Sequence, residues 1–171
     1  LYGMTRFGGS FGVGTVFRLG TDGSGYQILR SFDWYSGDGY YPTGALTPLG
    51  GYLYGTAPYY AFGTGVVFRL RPDGTDYQVV YAFDFENNPE RPCDSLIADG
   101  GFLYGMTNHF SQASGSVFRL AADGTDFQVL VWLHSDSGSE PYGSLIVKDG
   151  ALFGVTSAGG TYSAGTVFRV G

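Results

Sequence analysis

The sequence predicts an all-β fold made of a repeated four-stranded unit, and three observations lead there. Gly, Tyr and Phe supply 30, 14 and 14 of the 171 residues, which puts Gly at more than twice its usual share of about 7%. Lys occurs once and Met twice, so the straight-chain helix formers are scarce where Gly already penalises helix interiors. Blocks of sequence recur with a period near 50 residues, which is the mark of a repeat architecture. Aromatic and β-branched residues are too plentiful for a disordered chain, and Gly does not return at every third position as collagen requires.

The repeat is visible in four blocks. Leu1-Tyr2-Gly3 returns as Leu53-Tyr54-Gly55, Leu103-Tyr104-Gly105 and Leu152-Phe153-Gly154. Val16-Phe17-Arg18-Leu19 returns as Val67-Phe68-Arg69-Leu70, Val117-Phe118-Arg119-Leu120 and Val167-Phe168-Arg169-Val170. Asp22-Gly23 with Tyr26-Gln27 matches Asp73-Gly74 with Tyr77-Gln78 and Asp123-Gly124 with Phe127-Gln128. Pro42 to Leu46 matches Pro92 to Leu96 and Pro141 to Leu145.

Each period resolves into four short strands, best seen in the third. A first strand over 95–98 reaches the turn Asp99-Gly100-Gly101, and a second strand follows over 102–107. Asp-Gly between apolar runs is a hairpin signal, because Gly accepts positive φ without a Cβ clash. The third strand covers 116–120, and a second Asp-Gly at Asp123-Gly124 opens the fourth over 127–133. Four antiparallel strands per repeat describe a β-propeller blade, whose two faces are both apolar because blades stack face to face. The chain opens in a second strand and closes after a third strand over 166–170, which makes about 3.5 blades in a single domain over 1–171. The repeats fall at about 1–42, 43–92, 93–142 and 143–171. Stacked repeats need neighbours to cover their faces. A longer native chain, copies that associate to complete a ring, and a compact four-blade monomer all satisfy that need.

The segment Leu1-Tyr2-Gly3-Met4-Thr5 through Gly8-Gly9, followed by Gly14-Thr15-Val16-Phe17-Arg18-Leu19 and Asp22-Gly23, resembles the Gloeobacter/Verrucomicrobia (GloVer) tandem repeat. The likeness extends over essentially the whole chain. It implies a bacterial protein that is exported, at an extracellular or cell-surface location, and it brings no assigned activity with it. Kelch repeats are a weaker comparison, since Trp34 and Trp132 do not hold equivalent positions.

Composition narrows the partners. Nine basic against 15 acidic residues give a formal charge of −6, which repels nucleic-acid backbones and anionic membranes. No apolar run approaches the roughly 18 residues of a membrane span. Cys93 is the only cysteine, so no disulfide forms within one chain, and no cofactor motif is present.

Residues that recur in every repeat read as scaffold. Arg18, Arg69, Arg119 and Arg169 share one strand position, where each can meet a carboxylate or lay its stem along a blade edge. Thr5, Thr56, Thr107 and Thr156 read as core and ladder residues. The Asp73–Asp76 and Asp123–Asp126 turns hint at calcium, but the first repeat has Gly25 where they carry a second Asp, and calcium takes six or more oxygens.

Function is expected where the repeats differ. The second-to-third loops (6–14, 57–65, 108–115, 157–165) and the blade-to-blade loops (33–44, 84–94, 134–143) should emerge on one face. They hold Phe11, Trp34, Tyr35, Tyr40, Tyr59, Tyr60, Phe110 and Tyr162 beside Asp38, Glu86, Glu90, Asp136 and Glu140. Flat rings stack on sugar faces and carboxylates accept hydroxyl protons. The candidate ligand-binding residues are therefore Trp34, Tyr35, Asp38, Tyr40, Tyr59, Tyr60, Glu86, Phe110 and Tyr162. The same surface suits a protein partner, since Tyr and Trp dominate interface hot spots. The rings can also simply pack the loops over the blade ends.

The reading is a non-enzymatic, extracellular propeller whose aromatic and acidic loop face takes a glycan or a protein. One alternative is a structural repeat unit forming a homo-oligomer through incomplete terminal blades. Another is a carbohydrate-active hydrolase or lyase, which needs two carboxyls about 5–9 Å apart; Asp38 with Glu86, or Glu90 with Asp136, are nominal pairs only. His134-Ser135-Asp136 cannot make a relay of adjacent residues, and Cys93 has no partnered His. His109, His134 and Asp136 are weak candidates for a metal site of two imidazoles and a carboxylate.

Overall fold

Each Gly of the Leu-Tyr-Gly block lies opposite the Phe of a Val-Phe-Arg block, and this pairing sets the register of every sheet. The computed structural model describes residues 1–60, 64–84, 91–109 and 114–171. Gly3 faces Phe17, Gly55 faces Phe68, Gly105 faces Phe118 and Gly154 faces Phe168. A Cβ on Gly3, Gly55 or Gly105 would stand 2.6, 2.5 or 2.6 Å from the ring tip of its partner. The ring occupies the space a side chain would take, so the two blocks recur together.

Among the described residues the chain forms fourteen strands and no helix. The first blade has β1 (Tyr2–Thr5), β2 (Thr15–Arg18) and β3 (Gln27–Ser31). The second has β4 (Thr43–Leu49), β5 (Tyr52–Ala57), β6 (Val66–Leu70) and β7 (Gln78–Ala82). The third has β8 (Pro92–Asp99), β9 (Phe102–His109), β10 (Ser114–Ala121) and β11 (Gln128–Leu133), and the fourth has β12 (Ser139–Lys148), β13 (Ala151–Ala158) and β14 (Val167–Val170). Every sheet is an antiparallel meander in chain order. This is a β-propeller, as the repeat predicts.

The first and second strands join through two-residue turns, Gly50-Gly51, Gly100-Gly101 and Asp149-Gly150, with positive φ at both positions. That is the backbone whose twist matches the flanking strands. The first strands start earlier than the sequence implies, at Thr43, Pro92 and Ser139. A bulge in each had disguised its upstream half as loop. Gly44, Asp94 and Gly143 take φ of 75, 58 and 75° there, and the pairing shifts register across each of them.

The core is three layers between blades. Val16 and Phe32 pack on Leu53, Phe68 and Leu70; Tyr54, Val67 and Phe83 pack on Leu96, Leu103, Phe118 and Leu120; Met106 and Val117 pack on Leu145 and Leu152. Polar contacts cross the same junctions. The Thr47 hydroxyl donates to the Leu96 carbonyl at 2.5 Å, the Ala45 N–H to Ser95 Oγ at 2.7 Å, and the Gly143 N–H to Asp94 Oδ2 at 2.8 Å. Gly14, Gly65 and Gly115 bring their backbones against Pro42, Pro92 and Pro141 of the following blade, where a Cβ would stand 2.5–2.6 Å from the ring.

One scaffold assignment changes. Thr5, Thr107 and Thr156 bond across their sheets to Thr15, Ser116 and Thr166 at 2.8, 2.7 and 3.0 Å. Thr56 stands one register earlier, opposite Val67, and its hydroxyl donates to the Asp94 carbonyl of the next blade. The Thr5 position in the second blade is Ala57, opposite Val66.

Candidate functional site

The two kinds of loop meet. The Tyr40 N–H donates to the Tyr59 carbonyl at 2.8 Å and the Tyr41 N–H to the Val13 carbonyl at 2.9 Å, lacing the β3–β4 connection to the loops on either side. The β11–β12 connection is tied likewise, with Gly160 N–H donating to the Ser135 carbonyl.

The β3–β4 connection is built by Asp33. Its Oδ1 accepts the N–H groups of Tyr35 and Ser36, both at 2.6 Å, and the Tyr35 N–H chiefly holds the carboxyl below its usual range against a smaller opposing desolvation. The turn leaves the Tyr35 ring 91% exposed. Downstream, Asp38 is buried and ion-paired with Arg30, whose Nε donates at 3.0 Å and whose Nη2 also contacts the carboxylate. The Arg30 guanidinium lies over the Tyr77 ring at 4.3 Å, and the Tyr77 hydroxyl donates to the Asp38 carbonyl at 2.6 Å. Burial first, and the Asp38 charge second, push Tyr77 well above its ordinary value.

A cleft of about 340 Å³ results, lined by Asp33, Trp34, Tyr35, Gly37, Asp38, Gly39, Tyr40 and Tyr60. Trp34 packs on Tyr40 at 4.6 Å between centroids, and Tyr40 stacks on Tyr59 at 5.8 Å and 11°. Tyr41 sets its edge against Trp34, Tyr40 and Tyr59, and Arg91 lies over the Tyr59 ring at 5.2 Å. The aromatic wall is thus held from behind.

Of the candidate ligand residues, Trp34, Tyr35, Asp38, Tyr40 and Tyr60 come together in this cleft, and Tyr59 supports it from the second layer. Tyr162 is 90% exposed on the β13–β14 loop and does not line it. Glu86, Phe110 and Glu90 lie outside the described residues, as does the His109 side chain. His134 and Asp136 are both exposed on a turn closed by Ser137, and among the described residues no group of three His, Cys, Asp or Glu could hold a metal. Sequence reasoning missed Asp33, Arg30 and Tyr41. The Asp33-Trp34-Tyr35-Ser36 run carries an Asp-turn signal, whereas the partnership of Arg30 with Asp38 has none.

The scaffold residues find local partners. Asp22, Asp73 and Asp123 each accept a backbone N–H and a hydroxyl from the residue two positions on, Ser24, Thr75 and Thr125. Arg69 and Arg119 lie over the rings of Tyr52 and Phe102 at 4.5 and 4.8 Å rather than facing an anion. Burial, with the Asp94 charge second, raises the Cys93 thiol to about 12, the reverse of what a nucleophile needs.

The arrangement defines a β-propeller with an aromatic cleft between its first two blades. The chain belongs to the Gloeobacter/Verrucomicrobia repeat family, whose model matches residues 1–171. No curated protein matches it. Among solved structures it is similar to TolB from Acinetobacter baumannii, at 12% identity and a TM-score of 0.56, over 92% of this chain and 35% of that one. It is similar also to Trypanosoma rangeli sialidase in complex with sialic acid, at 11% identity and a TM-score of 0.55, over 92% of this chain and 26% of that one. The chain therefore spans about a third or less of these structures, and the likeness is one of fold. No helix among the described residues is long and apolar enough to cross a membrane.

Proposed function

We propose that the protein is an exported, non-enzymatic binding module that holds a neutral glycan in the cleft between its first two blades. One observation carries this reading: four aromatic side chains surround about 340 Å³ whose two carboxylates are already engaged. Asp38 is ion-paired with Arg30, and Asp33 is bonded to its own loop. The cleft therefore offers stacking surfaces, hydroxyls and an indole N–H more than it offers free charge, which favours an uncharged, hydroxyl-rich ligand over a cationic peptide. A glycosidase acid needs a raised pKa, whereas the Asp33 carboxyl is lowered.

Calorimetric titration with a panel of neutral hexose and pentose oligosaccharides tests this. Saturable binding is expected for at least one, weakened about tenfold or more by Tyr35→Ala and by Trp34→Ala, an effect of about 1.4 kcal/mol. Because Tyr35 is almost wholly exposed, its replacement should leave the melting temperature unchanged. A panel with no binder, or binding indifferent to both substitutions, overturns the reading.

A further inference from the structure

Asp33 divides its carboxylate between two tasks. Oδ1 accepts the N–H groups of Tyr35 and Ser36, both at 2.6 Å, and so closes the turn that carries the Tyr35 ring out into solvent. Oδ2 receives no hydrogen bond among the described residues. The Ser36 hydroxyl adds a pull on the carboxyl that is weaker than that of either N–H. Asp33 is half-buried in the wall of the aromatic cleft, so this second oxygen is engaged neither by the turn nor by a strand.

The other polar groups around the cleft do not duplicate it. The Trp34 indole can only donate, and the phenols of Tyr35, Tyr40 and Tyr60 donate or accept as neutral groups. Asp38 is buried and gives its Oδ2 to Arg30. The Arg30 guanidinium, whose charge reaches Asp33, is committed to Asp38 and to the Tyr77 ring. Asp33 is therefore the accessible charged acceptor of the cleft, and it stands beside the most exposed of the cleft's rings.

We propose that Asp33 sets the specificity of the cleft: its second oxygen accepts hydroxyl hydrogens of the sugar stacked on Tyr35, selecting sugars with free hydroxyls and rejecting uronic acids. This role rests on the glycan reading above. A charged acceptor strengthens the hydrogen bond of a hydroxyl, whereas a sugar carboxylate brought to the same oxygen meets like charge. Because both oxygens belong to one rigid carboxylate, the turn that fixes the stacking platform also fixes the acceptor beside it.

Calorimetry at neutral pH on the chain, Asp33→Asn and Asp33→Ala tests this, with the tightest binder of the neutral panel and its counterpart built of uronic acids. Asn keeps a carbonyl for the two N–H groups but puts an amide nitrogen, which only donates, in place of Oδ2. Asp33→Asn should weaken the neutral sugar about fivefold or more and cut the preference over the uronic acid about tenfold or more. Amide exchange of Tyr35 and Ser36 in the ligand-free protein reads the platform separately. Protection should survive in Asp33→Asn and be lost in Asp33→Ala. If neutral-sugar affinity or preference is unchanged in Asp33→Asn while Tyr35→Ala still weakens binding, this role falls and the glycan reading stands. Loss of amide protection in Asp33→Asn also overturns the role, by making collapse of the turn the cause. A panel with no binder overturns both.

Discussion

Asp38 shows how a residue can lie in a site and still serve mainly the scaffold. Its carboxylate holds Arg30, and Arg30 is held in turn over Tyr77. Asp38→Ala would strand a guanidinium that is only about a third exposed, so a loss of about 1–3 kcal/mol is expected, read as a lower urea midpoint. The acidic residue was legible in the sequence. Its partner was not, because Arg30 and Asp38 meet through the path of the loop rather than through strand spacing. Gly105 makes the opposite case. A Cβ there would stand 2.6 Å from Phe118 and 2.8 Å from Leu96, so Gly105→Ala should cost about 1–3 kcal/mol by overpacking. Adding Phe118→Leu should recover part of that loss in a double-mutant cycle, since the two residues share one space.

At the scale of elements, the third-to-fourth connections are acid-sensitive. Asp22 is lowered first by the Ser24 N–H, and Asp73 and Asp123 first by the hydroxyls of Thr75 and Thr125. A carboxyl whose folded value is depressed adds stability that is complete above its ordinary value, here 3.8, and is lost as pH falls through the lower folded value. The melting temperature should therefore hold steady down to about pH 5 and fall below about pH 4. Asp73→Asn with Asp123→Asn should flatten that acid limb. Strands were legible where an apolar run lies between fixed turns, as over 102–107. They were illegible at the bulges, because Asp94 adopts a left-handed backbone that its residue type does not announce. Thr56 was misplaced because its block lacks the residue between Gly and Thr that the other three carry, as Met4 and Met106 do.

For the whole molecule, the period in the sequence was enough to reveal the architecture, because every blade uses the same Gly–Phe register and every junction the same Val and Leu. The cleft was only partly legible. Its rings could be assigned to one face, but which of them converge depends on loop paths that do not repeat. One series tests how position in the assembly sets energy. Val16→Ala, Val67→Ala and Val117→Ala remove methyls from wholly buried sites and should each cost about 1–3 kcal/mol. Val167→Ala, at the same place in the repeat but exposed, should fall within about 0.5 kcal/mol of neutral in dilute solution. Urea unfolding of the four variants reads the contrast directly.

The backbone contact of Gly14, Gly65 and Gly115 with the prolines of the next blade has a genetic consequence. Since each junction asks the same few residues of its neighbour, a duplicated blade arrives already fitted on both sides. Copy number can then change in whole units, and each added unit brings a fresh set of loops free to diverge while the strands beneath stay as they are.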